Sequence, residues 1–185
     1  MIAGITTLEL LRQIILGYIP TFDETRINIY NQKFKIPDDD GVFVTIEYNS
    51  GKVLSSRSNF NFSGNNPESV DLNTLENISI DIMSRNTDAL RTKELFVMAL
   101  NSYFSQGIQE KNGFKILRIA PINNLSDLEG SARLFRYEIP VNIFAWYENL
   151  TPADYFNIFN FQVIANGDPE MKTPVIAQPT IQPIL

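Results

Sequence analysis

Ile78-Ser79-Ile80-Asp81-Ile82-Met83, followed by Asn86-Thr87-Asp88 and then by the stretch 89–106, decides the fold class. In the first part isoleucine recurs at every second residue, the pattern of a strand with one buried face. Asn86, Thr87 and Asp88 carry the side-chain oxygens that cap a helix. Leu90, Phe96, Val97, Leu100, Tyr103 and Phe104 then recur at helical spacing, and Gly107 marks the expected end. These apolar positions cover more than one narrow stripe, so the helix is expected to touch both a sheet and a second surface.

Upstream, Thr6-Thr7-Leu8-Glu9 has the form of a capping box, with Ile5 and Leu10 at the positions of a hydrophobic staple. The helix it opens presents Leu8, Leu11, Ile15 and Tyr18 on one face, with Leu10 and Ile14 alongside, and ends before Pro20. A short strand is expected within 26–36, carrying Ile27 and Ile29. Asp38-Asp39-Asp40-Gly41 reads as a turn, and Val42, Val44, Ile46 and Tyr48 alternate through the next strand. Asn49-Ser50-Gly51 has hairpin chemistry, which makes the polar stretch 52–62 a return strand at an edge or projecting from the body, and 63–73 a loop.

Downstream, Phe114 and Ile116 (with Arg118) share one face of a strand whose other face holds Leu117 and Ile119. A long strand over 132–148 puts Phe135, Tyr137, Ile139, Val141, Ile143 and Ala145 on one side, with Arg136, Glu138, Asn142 and Trp146 on the other. Pro140 has no N–H to give to a ladder, so it predicts an edge position or a bulge. The expected fold class is α+β: a mostly antiparallel twisted sheet packed with two main helices, plus an extended C-terminal arm. Residues 1–165 form one domain. Residues 166–185, with prolines at 174, 179 and 183, form a Pro-rich arm too apolar for a purely solvated linker.

Composition removes whole classes of chemistry. With no histidine and no cysteine among 185 residues there is no Ser-His or Cys-His nucleophile pair, no disulfide and no iron–sulfur ligation. A formal net charge of -6 argues against wrapping the nucleic-acid backbone, whose affinity comes from Lys and Arg. The arginines at 57, 85, 91, 118, 133 and 136 form no basic block. The apolar runs are far shorter than a bilayer span, and the N-terminus lacks the pattern of a signal peptide. The acidic turn at 38–40 departs from a calcium loop because Ile36 stands at the first ligand offset, although Glu47 is acidic at the last. Asp81 and Glu138 are the acids a carboxylate-pair hydrolase would need to bring together. The expected reading is a non-enzyme with no cofactor, no metal and no catalytic residues.

The order of elements then carries a resemblance: a capped N-terminal helix, the strand Gly41-Val42-Phe43-Val44-Thr45-Ile46, the strand–helix unit at 78–104, and the terminal strand Arg136-Tyr137-Glu138-Ile139-Pro140-Val141-Asn142-Ile143. Over roughly 6–148 this resembles the neck or tail terminator family of tailed bacteriophages; Pro140 and the chain after Thr151 depart from the family pattern. The resemblance implies a structural virion protein, assembled in the bacterial host cytoplasm into a homo-oligomeric ring, commonly a hexamer. The ring caps the tail tube and joins it to the head–tail connector. Its partners would be connector, neck and tail-tube proteins, with DNA passing through the lumen without sequence-specific binding, and no membrane. The alternatives are another phage tail structural or adhesion module (tube, baseplate or completion protein), or a carboxylate-dependent hydrolase. The expected interface residues are Lys52, Arg57, Phe60 and Phe62 on the polar hairpin, Trp146 and Tyr147 on the long strand, and Val175, Ile176, Ile181, Ile184 and Leu185 on the arm.

Overall fold

A computed structural model describes residues 6–29, 38–59, 68–129 and 132–151. Helix α1 (Thr7–Tyr18) opens with the expected capping box: the Thr6 hydroxyl accepts from the Glu9 N–H at 3.3 Å, and the Glu9 carboxylate accepts from the Thr6 N–H at 2.8 Å. Two otherwise orphaned donors are thereby satisfied. Leu8, Leu10, Leu11, Ile14 and Ile15 are buried, whereas Tyr18, expected on that face, is 39% exposed. Ile5, the outer half of the predicted staple, lies outside the described residues.

Five strands form the sheet in the order β1 (Ile27–Ile29), β2 (Phe43–Asn59), β3 (Glu68–Ser84), β7 (Ala132–Thr151), β4 (Phe114–Ile119); β5 (Asn123–Asn124) and β6 (Asp127–Glu129) also pair with β7. Among the described strands only the pair β1–β2 is parallel. The α+β class and the mostly antiparallel sheet therefore hold. Register places Val44, Ile82 and Tyr137 in one row and Ile46, Ile80 and Ile139 in the next. These rows face α1 and α2 and form the core with Ile78, Val141, Ile143 and Phe96.

Four details depart from expectation. The chain does not turn at Asn49-Ser50-Gly51: β2 runs straight through, with a bulge at Asn49 between the pairs Tyr48–Ile78 and Ser50–Asn77. The bulge brings Gly51 onto the same face as Tyr48, and a Cβ at Gly51 would overlap the Tyr48 hydroxyl. An aromatic side chain thus covers the glycine and lets the strand continue. Consequently the segment 68–73 is ladder, not loop.

The expected single helix 89–106 is two. In the first, α2 (Asp88–Asn101), Ser84 Oγ and Asn86 Oδ1 accept from the first-turn N–H groups of Ala89 and Asp88. Ser102 then leaves helical geometry (ψ 160°) and its hydroxyl accepts from the Ser105 N–H, which starts α3 (Tyr103–Asn112). A serine able to cap locally competes with helix continuation. Gly107 is inside α3, and Gly113, at φ 65°, supplies the left-handed terminus.

In β4 a register shift at Leu117 returns Ile119 to the face of Ile116, opposite Val141, instead of the face of Leu117. Finally, β7 is an interior strand at Pro140, without a bulge there. The Pro140 carbonyl accepts from the Ala120 N–H at 2.9 Å, so its nitrogen faces that same side. There β4 has ended at Ile119 and β5 has not begun, and the missing donor falls in the gap.

Candidate assembly interface

Beyond the rows that face the helices, β2, β3 and β7 continue together as a three-stranded tongue. From Asn49 to Asn59 the outer strand covers about 35 Å at roughly 3.3 Å per residue. Residues 50–58 of β2 are all exposed, and 68–75 of the central β3 are only half-buried. Among the described residues nothing packs over either face of the tongue's outer part. Its outer edge on β2 is unpaired among the described residues, because β1 stops opposite Ile46.

One face of the tongue carries Lys52, Arg57, Asp71, Leu75, Phe144, Trp146 and Glu148, as the register requires. Arg57 stands opposite Asp71, which stands opposite Glu148, and the Ser69 hydroxyl donates to Glu148 at 3.1 Å. Trp146 is 41% exposed and meets Phe144 edge-to-face, ring centroids 4.5 Å apart. Lys52, Arg57 and Trp146 are thus brought onto a single surface. Phe60 and Phe62 lie outside the described residues, as do Val175, Ile176, Ile181, Ile184 and Leu185 and the proposed division at 165.

Tyr147 is placed on the opposite face, inside the root of the tongue. Its phenol donates to Glu76 Oε1 at 2.7 Å; the Thr7 hydroxyl donates to Oε2 at 2.7 Å, and Thr74 also reaches Oε1, at 3.1 Å. Glu76 is only 5% exposed. Thr7 is the first residue of α1, so the carboxylate lies beside the positive end of that helix. This cluster bolts the tongue to α1. Glu76 was missed in the sequence, yet it has the parity of Ile78, Ile80 and Ile82, which marks it for the buried face.

Burial, with Glu76 accepting its hydrogen bond, pushes the Tyr147 phenol well above the ordinary value of 10.0. A raised value means that the folded state holds the proton more tightly. The stabilisation is present in full below the unfolded value and is lost as pH rises through the folded one. Tyr147→Phe is expected to cost about 1.5–3 kcal/mol at neutral pH, the worth of a hydrogen bond to a charged acceptor. In urea titrations, that gap between wild type and variant should narrow above about pH 10.

On the other face of the sheet, Asp81 is 2% exposed and both its oxygens are taken by Arg136, at 3.2 Å from Nε and 2.8 Å from Nη2. Glu138, directly across from Asp81, accepts from the Asn123 amide at 2.9 Å. The two acids are neighbours, but each is engaged by a donor of its own. In the acidic turn Asp39 receives Arg26 in a two-pronged contact, which holds its carboxyl below the usual range, and Asp38 pairs with Arg85 at 3.4 Å. Among the described residues no group of three or more acids is placed to hold a metal ion, and no helix is long and apolar enough to cross a membrane.

The fold and this surface define a class in physical terms: an α+β body carrying a three-stranded β-tongue that is exposed along β2 among the described residues. No protein-family profile and no curated protein matches the chain.

Proposed function

We propose that this protein is a structural subunit of a tailed-phage virion, a tail terminator or neck subunit whose copies close into a ring, commonly of six. In that reading the ring caps the tail tube and joins it to the connector. The tongue is the observation that carries it. Beyond the Glu76 row three strands run on for roughly 25 Å with Val53, Leu54 and Leu150 exposed, and the outer edge, unpaired among the described residues, invites pairing with another chain. A ring of identical subunits uses such a projection through repeated heterologous contacts. The net charge of -6 suits a lumen past which DNA slides without being held.

Sizing with multi-angle light scattering and negative-stain microscopy tests the proposal. Single closed rings with a mass several times 21.1 kDa are expected. A stable monomer at high concentration overturns the ring, and stacked tubes favour a tail-tube subunit instead. Charge reversal at Lys52 and Arg57 together is expected to reduce the ring fraction about tenfold or more, since like charges then face Asp71 and whatever acidic surface the tongue meets. Deleting 169–185 should also weaken assembly while leaving the monomer folded; ring formation unchanged on sizing would remove the arm from the interface.

A further inference from the structure

Two adjoining hollows, of about 550 and 700 Å³, lie along the outer edge of β4 against α2 and α3, and Asn101 lines both. Leu100, Phe114, Ile116 and Trp146 supply apolar lining to the first; Val97 and the 57%-exposed Met98 supply it to the second. The side-chain amides of Asn101, Gln106 and Gln109 line the first hollow beside Glu110 and Lys115, and the Asn101 amide already donates one hydrogen bond to the Val97 carbonyl at 2.9 Å. The strand edge is already closed at its centre. The Ile116 N–H donates to Gln109 Oε1 at 2.8 Å, and the Gln109 amide donates to the buried Ser105 hydroxyl at 2.9 Å. An added β-strand would have to break this bond. The surface instead suits an extended segment that offers free carbonyls to amide donors and apolar side chains to the hollows. Proline-spaced segments have that property, because a polyproline-like backbone makes no internal hydrogen bonds and docks in aromatic-lined grooves.

We propose that this groove receives residues 175–185 of the chain itself, Val-Ile-Ala-Gln-Pro-Thr-Ile-Gln-Pro-Ile-Leu. The segment has no charged side chain, carries five branched aliphatic residues, and is broken by Pro179 and Pro183. Reach is sufficient. The described chain ends at Thr151 on β7, five residues along the strand from Trp146, or about 17 Å. The residues at 152–174 span up to about 80 Å when extended. That is enough for the groove of the same subunit or of a neighbour, so the proposal does not depend on the ring.

The absence of cysteine and the presence of a single tryptophan make the test clean. In the full chain, Gln106→Cys is paired in turn with Val175→Cys, Ile181→Cys and Leu185→Cys, and mildly oxidised. At least one pair is expected to form a disulfide about tenfold faster than the same arm cysteine paired with Gln13→Cys on the exposed side of α1, as high local concentration dictates. Peptide mapping tells an intrachain from an interchain bond; either supports the docking. Independently, Ile181→Asp with Ile184→Asp should raise acrylamide quenching of Trp146 about twofold by emptying the groove. Lys115→Cys, also lining the groove, replaces Gln106→Cys if that variant folds poorly. Cross-linking no faster than the Gln13 control at both groove positions overturns the proposal.

Discussion

Arg136→Ala is expected to destabilise the fold by about 3 kcal/mol, far more than the reciprocal Asp81→Ala. The asymmetry comes from burial. The Asp81 side chain is 3% exposed and the Arg136 side chain 42% exposed. Without Arg136, a nearly buried carboxylate in the middle of the sheet loses its two charge-assisted bonds. Without Asp81, the guanidinium turns to solvent and still feels Glu138 and Glu47, both of which already favour its charge. Asp81→Ala should therefore cost about 1 kcal/mol. Arg136→Lys keeps the charge but not the fork and should fall between them. Urea unfolding of the three variants measures the order; equal losses for the two alanine variants would mean that Asp81 finds another donor. The double change Asp81→Leu with Arg136→Leu is expected to recover most of the loss, because it leaves no buried charge.

Removing two donors from Glu76, by Thr7→Val together with Tyr147→Phe, is expected to cost about 3–5 kcal/mol, a large part of the stability of an ordinary domain. Each substitution nearly conserves volume, so the loss reports on hydrogen bonding to the buried carboxylate and not on a cavity. The same cluster joins α1 to the base of the tongue, so the damage should be local first. Amide exchange in 70–76 and 145–149 is expected to accelerate more than in the 78–82 core row. Uniform acceleration across the sheet would show that Glu76 supports the whole fold and not the tongue in particular.

The parts legible in the sequence share one physical property: their signals are local. The capping box at Thr6–Glu9 needs only four residues, and it appears in the structure as read. The alternation at 78–82 and at 135–145 needs only the two-residue period of a strand, and every isoleucine in it is on the core face. Where two local solutions compete, short-range spacing does not choose between them. Asn49-Ser50-Gly51 serves equally as a tight turn or as a bulge, and the choice fell to β3, which offers a partner on the far side of the bulge. Ser102 inside an apolar-periodic run serves equally as a helix residue or as a cap, and it caps.

The residues expected at the interface divide in the same way. Lys52 and Arg57 share one strand and Trp146 lies on another, and only the register of β2, β3 and β7 places them on one surface. Tyr147 was grouped with Trp146 because they are adjacent in sequence. In a strand adjacent side chains point to opposite faces, and Tyr147 therefore enters the Glu76 cluster instead. Asp81 has the parity of a solvated position yet is buried, since the long β7 brings Arg136 across it.

By itself, then, the sequence determined the class of fold, the strand and helix periods, the N-terminal cap and the chemistry that missing histidine and cysteine remove. These depend on residue type and short-range spacing alone. Tertiary structure decided that the polar stretch after Tyr48 is the edge of a long tongue, that the tongue is tied to α1 through Glu76, and that an acid in the sheet is held by Arg136. The last two are contacts between residues 55 or more positions apart, and the first rests on pairs as distant as Tyr48 and Ile78. Hydrogen bonding across such distances is set by strand register, which no local pattern contains.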